Sequence, residues 1–177
     1  MALTLLTGGA RSGKSVLAVR MASRANAPVV FVATAEPRDD EMAERIAEHR
    51  AARPASWTTV EEPSEIAAAI SGAPADAFVV VDCLTVWVSN LLERGAGRDE
   101  ITARALETAK AAAGRAAPVV VVTNEVGSGI VPMHPDTRAY RDLMGSVNAA
   151  FAAAAERVLL VVAGRVAPLA DVDEAGL

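Results

Sequence analysis

The stretch that most constrains this chain is Gly8-Gly9-Ala10-Arg11-Ser12-Gly13-Lys14-Ser15. A glycine, four residues and then Gly-Lys-Ser make the phosphate-binding loop pattern. It follows a short apolar run, Leu3 to Thr7, and leads into a helical pattern through Val16, Leu17, Val19 and Met21. That strand–loop–helix setting is the context the motif requires. Glycines let backbone N–H groups turn inward around an anion, and the helix start adds the positive end of its dipole. Lys14 is then the residue that reaches the outer phosphates, and the Ser15 hydroxyl the one that holds Mg²⁺. The chain has only two lysines, Lys14 and Lys110, and otherwise writes its positive charge as arginine. A compact ammonium on a flexible stem fits between phosphate oxygens where a planar guanidinium does not.

The 177 residues are expected to form a single domain over 1–177, with 166–177 a loosely held tail. Apolar, β-branched runs recur at Leu3–Thr7, Val29–Ala33, Phe78–Val81, Pro118–Thr123 and Val158–Ala163, with a further short strand at Trp57–Val60. They are near-continuous rather than alternating, as in strands covered on both faces. Helical patterns lie over roughly 13–25, 39–52, 63–70, 84–93, 98–114 and 137–156. Strands alternating with helices predict an α/β fold with a largely parallel central sheet and helices on both faces. The formal net charge of −5 argues against nucleic acid as a partner. No apolar run approaches the length that spans a bilayer, so stable membrane insertion is not expected. No basic leader precedes the first strand, and the reading is of a cytoplasmic protein. A single cysteine, Cys83, excludes an internal disulfide and any multi-cysteine metal site.

In such a sheet, ligands sit at the carboxyl ends of the strands. The second strand ends in Ala33-Thr34-Ala35 and the Phe78 strand in Asp82. Asp82 follows four apolar residues and is read as the Mg²⁺ partner of Ser15, with helix N-capping as the alternative. Asn124 and Glu125 end the next strand and either orient a substrate or shape the turn that follows. On the helix at 39–52, Met42, Ile46 and His49 share one face. His49 is therefore a packed histidine or, with Arg50 and Arg53 to gather phosphates, a phosphoryl-attacking nucleophile. His134 sits in a Pro-rich loop. Arg138 and Arg141 open the last long helix, as an anion site or as a solvated face. Glu61 ends the short strand within reach of a nucleotide ribose.

These residues, in this order, resemble the bifunctional adenosylcobinamide kinase/adenosylcobinamide-phosphate guanylyltransferases of cobalamin synthesis. The likeness runs from the phosphate loop through Ala33-Thr34-Ala35 and Asp40-Glu41-Met42. It is densest in Arg45-Ile46, His49-Arg50, Arg53-Pro54, Trp57, Thr59 and Glu61. It resumes at Asp82-Cys83-Leu84-Thr85, Thr123-Asn124-Glu125-Val126-Gly127, Gly129-Ile130-Val131-Pro132, Arg138 and Arg141-Asp142. The resemblance implies a RecA-like phosphate-loop NTPase fold and a homotrimer. It implies phosphorylation of adenosylcobinamide by ATP or GTP, then transfer of GMP from GTP to adenosylcobinamide phosphate through a guanylylated histidine. By position that histidine is His49. Lys14 is the other catalytic residue. The nucleotide contacts implied are Gly8, Gly9, Ala10, Arg11, Ser12, Gly13, Lys14, Ser15, Ala33, Thr34, Ala35, Arg50, Ala51, Ala52, Arg53, Glu61 and Asp82. Two other readings stay open: a single-activity small-molecule kinase, and a GTP-binding switch. The switch would want Asn-Lys-x-Asp where this chain reads Thr123-Asn124-Glu125-Val126.

Overall fold

The computed structural model describes residues 3–171 and 173. The elements follow in the order β1 (Leu3–Thr7), α1 (Lys14–Ser23), β2 (Val29–Ala33), α2 (Asp40–Ala51), β3 (Thr58–Glu61), α3 (Ile66–Gly72), β4 (Phe78–Asp82), α4 (Leu84–Glu93), α5 (Arg98–Ala113), β5 (Val119–Val122), α6 (Pro135–Ala154), β6 (Arg157–Val162) and β7 (Arg165–Leu169). All the described strands join one sheet in the order β3-β2-β4-β5-β1-β6-β7. Six are parallel and β7 runs antiparallel to β6. β1 and β5, buried along their whole length, lie side by side at the middle.

The apolar runs are continuous because the sheet is covered on both faces. Leu3, Leu5, Val30, Val32, Val79 and Val81 point into one core with Ile70, Trp87, Ile101, Met144 and Phe151 of the helices. Alternate residues Leu6, Phe31, Val80 and Val122 point to the other, against Ala18 and Ala22 of α1. The small alanines let α1 lie close to the strands. α2 differs from every other helix: no residue of it is buried. Asp39 caps it, accepting a hydrogen bond from the Met42 N–H at 2.7 Å.

Two local devices hold the loops around this frame. Arg115 donates from its two terminal nitrogens to the carbonyls of Ile70, Ala73, Pro74 and Ala77, closing the turn between α3 and β4. Arg115→Ala leaves these acceptors short of a donor, and a loss of about 2–3 kcal/mol is expected in a urea titration. Asn90, fully buried, donates to the carbonyls of Thr34 and Pro63 and accepts from Arg38. It ties α4 to the loops that follow β2 and β3.

The expectation of a loose tail from 166 onward is corrected for its first residues. Val162, Ala163, Gly164 and Arg165 make a two-residue hairpin turn, with φ of 49° at Ala163 and 73° at Gly164. The chain then returns as β7, pairing Val161 with Val166 and Val158 with Leu169. Pro168 is tolerated because β7 is an edge strand. Residues 172 and 174–177 of the expected tail lie outside the described residues.

Candidate active site

The phosphate loop is built where the motif places it, between β1 and α1. Two glycines are obligatory. Gly8 has φ 143°, and a Cβ there would stand 2.2 Å from the Val161 carbonyl oxygen. Gly13 caps α1 with φ 103° and lies against the hairpin turn, its missing Cβ only 3.6 Å from the Gly164 Cα. Gly164 in turn donates its N–H to the Ser12 carbonyl at 2.9 Å. Lys14 is buried, and its ammonium donates to the carbonyls of Gly8 (2.8 Å) and Gly9 (2.6 Å). Burial pushes its pKa down, while Cys83, once ionised at high pH, and the Asp82 carboxylate would pull it up. The ammonium thus waits, partly desolvated, at the mouth of the loop. Arg11 lies exposed on the rim with φ 55°.

Asp82 ends β4 with its side chain only 9% exposed. Among the described residues nothing donates a hydrogen bond to its carboxylate, and the Ser15 hydroxyl has no hydrogen-bond partner either. Two hard oxygen donors, one at the end of β4 and one in the first turn of α1, neither of them hydrogen-bonded among the described residues, suit Mg²⁺. Among the described residues no cluster of three or more His, Cys, Asp or Glu is placed to hold a metal, so phosphate and water oxygens would complete the shell. The alternative, a cap for α4, is not what the structure shows: Cys83 is the N-cap residue, without a side-chain cap bond. The Asp82–Cys83 peptide bond is cis.

The contact that sequence spacing could not show is between His49 and Asp82. The imidazole Nδ1 lies 3.8 Å from the carboxylate Oδ2. Met42, Ile46 and His49 do share the inward face of α2, but only half-buried, so His49 is not a packed core histidine. Its side chain is 41% exposed. With Nδ1 turned to the carboxylate, Nε2 is the nitrogen free to react. Arg53 fixes the end of this helix. Its guanidinium lies 3.7 Å over the Phe31 ring and donates to the His49 carbonyl at 2.9 Å. Burial lowers its pKa, and the charge of Asp82 opposes that shift. Arg50 is paired with Glu61, 3.4 Å away, both largely exposed at the end of β3. Ala51 and Ala52 follow on the exposed helix end.

Other expected site residues turn out to be occupied in the scaffold. Thr34 is fully buried. Its hydroxyl donates to the Cys83 carbonyl (2.9 Å) and accepts from the Cys83 N–H (2.8 Å). That clasp joins β2 to β4 and leaves no Thr34 hydroxyl for a nucleotide. Ala33 and Ala35 flank it at the strand end. The Glu125 carboxylate accepts from the N–H groups of Gly127 and Ser128, and hydrogen bonding from the Ser128 side chain, then from these N–H groups, holds its pKa below the ordinary value. Asn124 donates to the Thr85 hydroxyl. Both shape the turn. Arg138 donates to the carbonyls of Pro132 and Met133, and Arg141 lies beside Asp142, so neither is a free anion site. His134 is exposed beside Asp136. Cys83 is no rival nucleophile: burial pushes its pKa up to about 11, which keeps it a thiol at neutral pH.

Residues 4–169 match the family described as cobinamide kinase / cobinamide phosphate guanyltransferase. The chain is 45% identical over 171 residues to the bifunctional adenosylcobalamin biosynthesis protein CobP of Pseudomonas aeruginosa, covering 93% of this chain and 95% of that protein. It is 42% identical over 177 residues to CobU of Salmonella typhimurium, bearing the same bifunctional description, over 92% of this chain and 96% of that one. Among solved structures it is similar to the RadB recombinase, with a TM-score of 0.51 at 19% identity over 90% of this chain and 73% of that one. A type III secretion ATPase gives a TM-score of 0.57 at 12% identity over 90% of this chain and 50% of that one. These likenesses show the phosphate-loop NTPase fold. The match along nearly the whole length, with the loop, Asp82 and His49 at one sheet edge, places the chain in the cobinamide kinase / cobinamide phosphate guanyltransferase family.

Proposed function

We propose that the chain carries both reactions of its family at this one edge. It phosphorylates adenosylcobinamide with ATP or GTP, then moves GMP from GTP onto adenosylcobinamide phosphate. The observation that carries the reading is the approach of His49 to Asp82 beside the phosphate loop, at 3.8 Å. A kinase whose substrate hydroxyl gives its proton to water needs the loop and the acid but not an imidazole there.

In the first reaction the aminopropanol hydroxyl oxygen of the corrinoid attacks the γ-phosphorus. The bond from that phosphorus to the β-bridging oxygen breaks, the nucleoside diphosphate leaves and the hydroxyl proton passes to water. The residues' work is placement and charge neutralisation. Lys14 and the N–H groups of residues 8–15 hold the phosphates. Ser15 and Asp82 would hold Mg²⁺, which supplies positive charge between phosphate oxygens when bound.

In the second reaction His49 Nε2 attacks the α-phosphorus of GTP. The α–β bridging bond breaks and pyrophosphate departs into the phosphate loop. The imidazole then carries positive charge, and Asp82 across from Nδ1 stabilises it. A phosphate oxygen of the corrinoid next attacks the same phosphorus. The N–P bond breaks and neutral histidine returns. Arg50 and Glu61 line the way out for the guanosine, as do Ala33, Ala35, Ala51 and Ala52. The partners are thus nucleotides and the corrinoid.

Two further parts of the reading concern setting. No helix among the described residues is long and apolar enough to cross a membrane, which suits a cytoplasmic site of action. Ile130, Val131 and Met133 stand exposed on the loop after β5, which suits burial between copies in a homotrimer.

The test feeds the protein cobinamide and cobinamide phosphate separately. With γ-labelled triphosphate, label is expected on cobinamide. With α-labelled GTP, label is expected on the protein in an acid-labile, base-stable adduct that cobinamide phosphate discharges. Phosphate transfer without any protein adduct would favour the single-activity kinase. Hydrolysis indifferent to either corrinoid would favour the switch.

A further inference from the structure

Among the described residues no hydrogen bond reaches the Asp82 carboxylate, although His49 Nδ1 stands only 3.8 Å from it. The acid therefore keeps its place through its own backbone. A donor bonded directly to the carboxylate would satisfy part of its charge. Held from behind instead, the group can turn its charge to the imidazole. On the near side of Asp82 the sheet does the holding: Asp82 pairs with Ala33 of β2 and with Val122 of β5. Beyond Asp82 the strand has ended, and Thr34 takes over.

Thr34 binds three successive backbone groups past the Asp82 Cα. Its N–H donates to the Asp82 carbonyl at 3.1 Å. Its hydroxyl accepts from the Cys83 N–H at 2.8 Å and donates to the Cys83 carbonyl at 2.9 Å. The first of these bonds any residue at 34 could give, but the other two need the hydroxyl. The side chain is wholly buried, and valine, with the same shape, would pack as well without it. Thr34 is itself anchored. Its carbonyl accepts from the Asn90 amide at 2.8 Å, and the Asn90 Oδ1 accepts from Arg38 at 2.7 Å. Arg38 immediately precedes Asp39, the cap of α2. One chain of hydrogen bonds thus runs from the end of β4 to the root of the helix that carries His49.

We propose that the Thr34 hydroxyl is a positioning group of the guanylyl step. Through Cys83 it fixes where Asp82 presents its carboxylate to His49. This rests on the roles given above to Asp82 and His49. No residue of α2 is buried, so core packing does not set the pair from the histidine side, and the acid is the fixed member. As positive charge develops on the imidazole, its stabilisation depends on a carboxylate already in place. Displacing Asp82 therefore slows the attack on the α-phosphorus. It does not loosen the triphosphate, because the phosphate loop follows β1 and Thr34 makes no hydrogen bond to it.

The experiment follows single-turnover labelling of the full chain by α-labelled GTP over a range of GTP concentrations. Thr34→Val is expected to lower the maximal labelling rate by about 10- to 100-fold, the scale on which a small misplacement acts. The half-saturating GTP concentration should stay within about threefold of wild type. Thr34→Ser, which keeps the hydroxyl, should recover most of the rate. A thermal melt checks each fold, and Arg115→Ala, a destabilised variant before β4 and away from the site, should label at the wild-type rate. If Thr34→Val does not fold, Thr34→Ala takes its place, since it leaves room for water to meet both Cys83 groups; the same loss of rate is expected. In an Asp82→Asn background the Thr34 substitution should slow labelling by less than about twofold more, because the group it acts through is already disabled. A folded Thr34→Val or Thr34→Ala with the wild-type rate would overturn the proposal. So would equal losses in Thr34→Ser and Thr34→Val, or equal losses with and without the Asp82 carboxylate. A raised half-saturating concentration at an unchanged maximal rate would place the hydroxyl on the nucleotide instead. Wild-type protein that forms no histidine adduct would overturn the bifunctional reading itself, before any Thr34 variant is made.

Discussion

His49→Ala is expected to lose protein labelling by α-labelled GTP by about a thousandfold or more, the scale on which removal of a nucleophile acts. Cobinamide phosphorylation by the same variant should fall far less than labelling does, because Asp82, the one group both steps share, keeps its place at the end of β4 when the imidazole is removed. The split follows from the geometry. His49 sits on α2, where no residue is buried, and its own side chain is 41% exposed. Truncating it opens no cavity and leaves no buried donor unpaired. Among the described residues the one polar partner it deserts is Asp82, 3.8 Å away, which keeps its place at the end of β4. The phosphate loop, two strands distant, is untouched. A variant that keeps the full label would place the nucleophile elsewhere. Cys83 is a poor substitute, because its thiol is held protonated up to about 11. A variant that loses both activities together would mean that the imidazole also serves the kinase step, as a base for the attacking hydroxyl.

The parts of this site that could be read along the chain are those in which a local pattern has one physical outcome. Four apolar residues and an acid, Phe78 to Asp82, make a buried strand with its carboxylate at the edge. The phosphate loop is set by glycines whose Cβ positions are blocked or whose φ is positive. The inward face of α2 follows from the 3.6-residue period. What escaped was nonlocal. His49 and Asp82 meet because β2 pairs with both β3 and β4, a register that no spacing encodes. The Thr34–Cys83 clasp crosses from one strand end to the next in the same way. It turns a residue assigned to the nucleotide into a fastening of the scaffold. Arg53, expected to gather phosphates, stacks on Phe31 instead, a pairing that depends on how α2 returns to the sheet. The hairpin does have a local signal: Ala163-Gly164 between Val161-Val162 and Val166 is a two-residue turn flanked by β-branched residues. Pro168 is compatible with it, since proline speaks against a central strand but not against an edge.

Lys14→Ala should disable both reactions at once, lowering each by about a thousandfold, the size of effect seen when a preorganised donor to transition-state charge is removed. The two losses come together because the loop holds outer phosphates in the kinase step and departing pyrophosphate in the guanylyl step. Stability should behave differently from activity. In the free protein the Lys14 ammonium is buried among the carbonyls of Gly8 and Gly9, and burial lowers its pKa. A folded-state pKa below the unfolded one means that the charged form is disfavoured by folding at neutral pH. Removing it therefore relieves a desolvation cost while losing three hydrogen bonds, to the Gly8 and Gly9 carbonyls and the Ser12 hydroxyl. The net change in the free protein is expected to stay within about 1 kcal/mol. The triphosphate is what gives this ammonium its counter-charge. Wild-type protein should accordingly melt several degrees higher with saturating GTP, following the linkage between binding and unfolding. Lys14→Ala should show little of that increase. Lys14→Arg should resemble the alanine variant in activity, because a planar guanidinium does not fit where the ammonium reaches 2.8 and 2.6 Å from two carbonyl oxygens. A Lys14→Ala protein that still gains the full wild-type stabilisation from GTP, measured by scanning calorimetry, would show that the lysine is not what grips the phosphates. The loop's backbone N–H groups would then have to carry both reactions alone.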